Sequence, residues 1–521
     1  MPSLHRIALS SALAAAILAP SGAAQQSPPP SVDLPYAYDS GEVSSPARST
    51  AVVISTPVRV EGAQWLRLQF QLVQLAGEAE DGSGSILRIS SYRDGAIQEM
   101  NAIHVGQWGL TSAYFNGDTV QVEVEARAGR GVNRVILRAV TAGLPFDPPE
   151  SQCGLTDDRV LSFDPASARA MPVGCSAWIF DDCNRCMGTA GHCSGSSLQV
   201  MQFNVPLSTS GGGIVNPPPQ HQYSVDVSSK QSGSGSVGND WGYFGCFPNS
   251  NTGLTPFQAQ GAAYTLAASP PPFNPSHVIR VTGYGTDSTP PQNNQVQQTS
   301  TGPYFSFSGT TVRHQVDTQG GNSGSPVIWE NGGGVVIGVH THGGCNTSLT
   351  NANAGTGTNH GNWTTARANP KGVCSTTGSA STYCTAKLNS AGCMPAVGTS
   401  GLPKISGGPG SFTISASQLL NQKNGLLYYG FLPNGAPFQG GFLCVAAPIT
   451  RTPLASTGGS PSGNDCTGSL AFDMGALIAS GADPALECGA IVYAQFWSRD
   501  PGFAPPNNPS LTQGVKFQIG K

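Results

Sequence analysis

The thirteen cysteines are spread unevenly, and their spread divides the chain before any other feature does. None precedes Cys153; eight fall between Cys153 and Cys374; five follow, at Cys384, Cys393, Cys444, Cys466 and Cys488. Cysteine-rich segments of this kind are stapled in oxidising compartments. The pattern therefore predicts an exported chain with a cysteine-free module ahead of two stapled ones. An odd total leaves at least one thiol free or intermolecular. The start of the chain fits export. His5 and Arg6 give a weakly positive beginning, Ile7 to Leu18 is largely apolar, and Gly22-Ala23-Ala24 supplies small residues for cleavage. That apolar run is too short to span about 30 Å of hydrocarbon, and no later stretch reaches the roughly 18 apolar residues a span needs. Residues 1–24 are thus expected to be a signal peptide, and the protein to be secreted, extracellular and away from the membrane once it is removed.

Only 10% of the 521 residues are charged, whereas glycine occurs 67 times. Low charge with many Gly, Pro, Ser, Thr and Asn residues favours β-rich domains with long polar loops over helical bundles. A net charge of −4 gives no electrostatic footing for nucleic acid. Residues 25–148 read as strands: Val52-Val53-Ile54, Leu66 to Leu72, Ile86 to Ile89, Val120 to Val124 and Val135-Ile136-Leu137 are alternating or β-branched. Turns are expected at Arg93-Asp94-Gly95 and Asn116-Gly117-Asp118. A β-sandwich of the jelly-roll kind is predicted there, with no catalytic constellation and a possible propeptide role. The proline-rich stretch Leu144 to Glu150 closes it.

Residues 149–376 continue in strand-like runs, such as Ser176 to Phe180, His277 to Val281 and Gly334 to Val339. Ser/Gly tracts near 208–213 and 231–238 read as surface loops, and only Gly361 to Ala368 looks helical. Residues 377–521 form a third module with short strands at Phe412 to Ser415, Leu426 to Gly430 and Ala490 to Phe496. The predicted fold is mainly β throughout.

Gly320-Gly321-Asn322-Ser323-Gly324-Ser325-Pro326 is a tight small-residue turn ahead of the apolar run Val327-Ile328-Trp329. Such a turn exposes a hydroxyl and points successive N–H groups at one place beside it, as acyl transfer requires. A serine needs a base. Thr189-Ala190-Gly191-His192-Cys193 supplies one, and Asn239-Asp240 supplies an acid to orient it. A Gly-x-Ser-Gly alone is usually only a turn, and a lone histidine usually structural. Asp226 is the alternative acid.

Together these motifs, with Val281-Thr282-Gly283-Tyr284-Gly285 and Gly338-Val339-His340-Thr341, resemble the trypsin-like serine peptidases, and within them the glutamyl-endopeptidase branch. The order His, Asp, Ser, with spacings of 48 and 83 residues, fits two β-barrels sharing one cleft. The resemblance covers about 220 residues. It implies Ser323 as nucleophile, His192 as base and Asp240 as orienting acid, with the N–H groups of Gly321 and Ser323 as the oxyanion hole. It implies a Cys175–Cys193 disulfide bracing the histidine loop, and protein or peptide substrates cleaved by a monomer without cofactor or metal. Spacing assigns no partner to Cys153, Cys246, Cys345 or Cys374, and Cys183-Asn184-Arg185-Cys186, lacking a second such pair, reads as structural disulfide chemistry rather than zinc.

The implied primary pocket carries opposing signals. His340 matches the histidine with which glutamyl endopeptidases bind an acidic side chain; Asp317 stands where trypsin relatives place the carboxylate that pairs with Arg or Lys. Acidic preference is favoured, with basic preference as the alternative. Thr318 and Thr341 could add hydroxyls, and His342 reads as readily as a surface residue. Asn322 stands where zymogen-maturing relatives carry an aspartate, so an amide replaces the group that pairs with a new N-terminus. An inactive protease fold used for binding or adhesion is the remaining alternative; the presence of all three triad residue types speaks against it.

Overall fold

Strand alternation becomes sheet pairing throughout the computed structural model, which describes residues 26–79, 83–145, 152–183, 185–233, 235–375 and 378–520. The expected signal peptide, and most of the proline-rich boundary, lie outside these. The chain divides into two compact units, Met1–Cys374 and Ser375–Lys521.

The first unit opens with two antiparallel sheets. One orders Ser31–Asp39, Val132–Gly143, Trp65–Gln74 and Phe115–Asn116, with Val43–Ser44 at its side; the other orders Ala51–Arg59, Thr119–Ala126, Ile86–Ser91 and Ile97–Met100. Thr119–Ala126 alternates perfectly between buried and half-buried residues, so Val120, Val122, Val124 and Ala126 enter the core while Gln121 and Glu123 face outward. The core does not stop at this sandwich. Trp65, Tyr114 and Phe115 share one apolar cluster with Met171, Val200 and Ile214 of the next segment.

That next segment holds two six-stranded antiparallel barrels. The first closes through Ser167–Met171, Cys175–Ile179, Met187–Thr189, Trp241–Cys246, Gln222–Gly233 and Val200–Gln202. The second runs Gln298–Ser308, Val278–Gly283, Pro326–Trp329, Val335–His342, Asn353–Gly357 and Thr311–His314, which pairs back onto Gln298–Ser308. Closure leaves no free edges. Two details depart from the sequence reading, and the disulfides fill in what it left open. Residues 231–233 end a strand instead of belonging to a loop, because register with Trp241–Tyr243 outweighs their small size. In addition to Gly361–Ala368, this segment forms a short helix at Pro256–Gln260 under a Thr255–Gln258 capping box. The pairs Cys153–Cys345 and Cys186–Cys374 tie the start of the segment to its end, and Cys246 is a buried free thiol.

The second unit is also β-rich, with Ser379–Tyr383, Pro509–Gln518, Ile491–Arg499 and Asn424–Gly430 in one sheet and Ala396–Gly401, Phe412–Leu419 and Gly468–Asp473 in another. Phe412, Leu427, Val492, Phe496 and Phe517 fill its core, and Cys384–Cys444 and Cys393–Cys466 staple it. Among the described residues no helix is long and apolar enough to cross a membrane.

Candidate active site

His192 sits on the turn that follows Met187–Thr189, and the turn is held on both sides. Cys193 is bonded to Cys175 on the neighbouring strand. Gly191 packs so closely on the Gly233 carbonyl that a Cβ would collide with it. Asp240, fully buried at the start of Trp241–Cys246, uses both carboxylate oxygens on this turn: Oδ1 accepts from the His192 backbone N–H at 2.9 Å, and Oδ2 lies 2.6 Å from His192 Nδ1. A carboxylate only accepts, so the ring proton belongs on Nδ1 and the lone pair on Nε2. Nε2 is buried and makes no hydrogen bond among the described residues. Thr356, from the second barrel, anchors Asp240 in turn: its hydroxyl accepts from the Asp240 N–H and donates to the Asp240 carbonyl, both at 2.9 Å. Asp226 lies elsewhere, accepting from Ser228 and from the Val373 N–H. The structure therefore brings Asp240, not Asp226, to the histidine.

Ser323 sits on the turn before Pro326–Trp329. Gly324, at φ +91°, presses against Ser176, Thr189 and Ala190, where a side chain would collide. This contact joins the serine turn of the second barrel to the histidine turn of the first. Ser176 strengthens the joint. Its N–H donates to the Ser323 carbonyl at 2.8 Å, and its hydroxyl donates to the Gly321 carbonyl at 2.9 Å. The Ser323 hydroxyl donates to the Thr341 carbonyl at 3.1 Å. Among the described residues nothing accepts from the N–H of Gly321 or of Ser323. Asn322 locks the turn from inside, its Oδ1 accepting from the Gln319 N–H at 2.9 Å.

The residues expected around the primary pocket are all buried. Asp317 points its carboxylate at backbone donors, accepting from Cys153 N–H at 2.7 Å and Asp158 N–H at 2.9 Å. Burial, with Asp158 nearby, pushes its pKa up to about 6. Thr318 Oγ1 accepts from Asn353 at 3.0 Å. The Thr341 hydroxyl turns to the Ala354 carbonyl at 3.3 Å. His340 lies in Val335–His342, with Nδ1 3.2 Å from Nε2 of His314. The Val316 N–H donates to His314 Nδ1 at 3.4 Å. That bond leaves the His314 proton on Nε2, which donates to His340 Nδ1 and leaves the His340 proton on Nε2. Burial holds both rings neutral, lowering His314 to about 3 and His340 well below the usual histidine range.

Three residues at the site carried no functional signal in sequence. His314 is announced only by Thr311–His314 alternation, which puts it on the inward face with Val312. Ser176 and Thr356 are ordinary strand residues until pairing brings them beside Gly321 and Asp240. His342, which reads in sequence as readily as a surface residue, is buried, with its ring 6.2 Å from that of His192 and its Nδ1 4.0 Å from Asp240 Oδ2.

The two barrels meet at the histidine and serine turns, and the sequence comparison falls on the same segment. Residues 172–359 match the family described as Trypsin, and that segment is a trypsin-family serine protease domain. Solved structures similar to this chain include the thermostable serine protease AL20 from an extremophilic microorganism, at 21% identity over 37% of this chain and 91% of that one, with a TM-score of 0.29. A Glu endopeptidase in complex with MPD is similar at 16% identity over 41% and 96%, and HBP at 13% over 42% and 98%, each with a TM-score of 0.32. No curated protein matches the sequence.

Proposed function

We propose that the two-barrel segment is a secreted serine endopeptidase acting through His192, Asp240 and Ser323. The observation that carries this is the two-point grip of Asp240 on His192, which leaves an unprotonated, unpaired Nε2 as the base. In the reaction Ser323 Oγ turns from Thr341, gives its proton to Nε2 and attacks the scissile carbonyl. The oxyanion is received by the N–H groups of Gly321 and Ser323, a hole in which each donor lowers the barrier by about 3 kcal/mol. Asp240 stabilises the imidazolium, Nε2 passes the proton to the leaving amine, and a water hydrolyses the acyl-enzyme by the same route.

Acidic side chains before the scissile bond are the proposed preference. A His340 Nε2–H, fixed by the His314 relay, suits a carboxylate acceptor, while the Asp317 carboxylate is already occupied by two backbone donors. A mixed peptide library, with Ser323→Ala alongside, tests both statements. Cleavage after Glu or Asp that disappears in the variant is the expected result. Cleavage after Arg or Lys would transfer specificity to Asp317, and intact peptides throughout would leave a binding fold.

A further inference from the structure

The chain's own residues 26–28 lie beside this cleft. The Ser27 N–H donates to the Gly174 carbonyl at 2.8 Å, and the Ser27 carbonyl accepts from Gln295 Nε2 at 2.6 Å. Gly174 immediately precedes Cys175, whose disulfide partner follows His192. Two residues beyond Gly174, Ser176 bonds to the Ser323 carbonyl. At a strand rise of about 3.3 Å per residue, Ser27 is held only about 7 Å along the strand from the nucleophile's turn. Across the cleft is Gly320, the residue before the oxyanion donor Gly321. A Cβ on Gly320 would lie 3.3 Å from Ser27 Cβ and 3.8 Å from the Gln26 carbonyl.

The seat is built for main chain. Gly174 has φ +62°, and any side chain there would run into the Ser27 carbonyl and the Pro28 nitrogen. Gln295 is buried at φ +52°, a conformation that non-glycine residues adopt only when their surroundings impose it. Here its carbonyl is pinned by Arg169 at 3.0 Å, which aims the side-chain amide at Ser27. The strap is also stiff and short. Pro28, Pro29 and Pro30 follow, the Pro30 carbonyl accepts from the Leu144 N–H, and the sandwich strand Ser31–Asp39 begins at once. Tethering of this kind keeps the local concentration of the segment high.

We propose that residues 26–28 occupy the leaving-group side of the cleft as a peptide product would, so that substrate residues beyond the scissile bond must displace them. This rests on the reading of Ser323 and His192 as nucleophile and base. His192 delivers its proton to the leaving amine, so the leaving peptide lies on the side of the Cys175–Cys193 disulfide and Gly174, whereas Thr318 and His340 lie on the acyl side. The Ser27 N–H donates to main chain, at the turn carbonyl just ahead of Cys175–Ile179, and the Ser27 carbonyl accepts from a side-chain amide, so both of its main-chain polar groups are held as those of a bound peptide are.

Ser27→Pro in the full chain removes the N–H donated to Gly174, and a Pro28→Gly, Pro29→Ser pair loosens the tether. Two substrates share one acyl sequence, one ending in a chromogenic anilide and one continuing for three residues. Loss of one hydrogen bond predicts about a 3- to 10-fold rise in kcat/KM on the extended peptide, with the anilide changed by less than about 2-fold. An equal rise on both substrates, or none on either, overturns the proposal. Binding separates this from failure of the catalytic reading. A fluorescent peptide of residues 26–33 is titrated into Ser323→Ala protein with and without Ser27→Pro. Tighter binding to the doubly substituted protein supports the strap even if no peptide is cleaved; equal binding rejects it.

Discussion

Asp240 shows how little freedom the proposed catalytic residues have. One carboxylate holds both the backbone and the ring of His192, and Thr356 from the other barrel holds that carboxylate's own backbone. Asp240→Asn keeps the shape but puts a donor where Oδ2 accepts, or an unpaired N–H where Oδ1 does. Rotation of the imidazole into the wrong tautomer should lower kcat by on the order of 10⁴-fold, with the fold intact; steady-state rates and a circular dichroism melt measure the two. A pH effect belongs to His314. Burial lowers its pKa to about 3 in the fold, against roughly 6.5 when unfolded. The unfolded chain therefore binds the extra proton between those values, so stability is level above pH 6.5 and declines as pH falls below it. His340 shifts in the same direction and faces His314, His342 and His192. At pH 5 the His314 share is about 2 kcal/mol. Urea unfolding at pH 7 and pH 5 should show His314→Gln losing about 2 kcal/mol less than the native chain. Equal losses would show that His314 does not titrate this way.

Elements explain what the sequence reveals and what it hides. Val120 to Val124 announces a strand because its alternation reports one buried face, and Val335 to Val339 does so as a short, β-branched-rich apolar run buried on both faces; both signals are local. The serine and histidine turns are legible for a similar reason, since glycines on either side mark backbone that other backbone must approach closely. Partners supplied by another strand are not legible: nothing near Thr356 mentions Asp240, and nothing near His314 mentions His340. The joint between sandwich and first barrel is hidden in the same way. Gln222 reads as a polar strand residue, yet its buried amide accepts from the Tyr114 N–H at 2.9 Å and donates to the carbonyls of Tyr114 at 2.8 Å and Pro217 at 2.7 Å. Gln222→Leu is similar in size but strands a buried N–H and two carbonyls. It should cost about 2–4 kcal/mol in denaturant unfolding, and limited proteolysis should cut the sandwich first. An undiminished unfolding midpoint would mean that the apolar cluster of Trp65, Phe115, Met171 and Val200 alone makes the joint.

At the scale of the whole molecule, the cysteine pattern marked where stapling begins but could not say what it staples. Cys153–Cys345 and Cys186–Cys374 close loops with sequence separations of 192 and 188 residues. Each therefore restrains almost the entire two-barrel segment in the unfolded chain rather than a local turn. In the chain-entropy account a loop of that length is worth about 5 kcal/mol, close to the upper end of what a disulfide contributes. Residues 375–521 have their own core and their own pairs, Cys384–Cys444 and Cys393–Cys466. Replacing Cys186 and Cys374 together by serine should thus lower the melting transition of the first unit, read by calorimetry. Activity at low temperature should survive, because neither cysteine touches His192, Asp240 or Ser323. Replacing Cys153 and Cys345 is the more demanding variant: the Cys153 N–H, which the substitution keeps, is one of the two donors on Asp317, so untying its segment should lower the same transition and also loosen that donor's hold on a carboxylate beside the proposed pocket. Relative cleavage after basic residues should then rise with the second pair of substitutions and not with the first. A rise with both would mean that loosening the barrels, rather than releasing Asp317, governs what the pocket accepts.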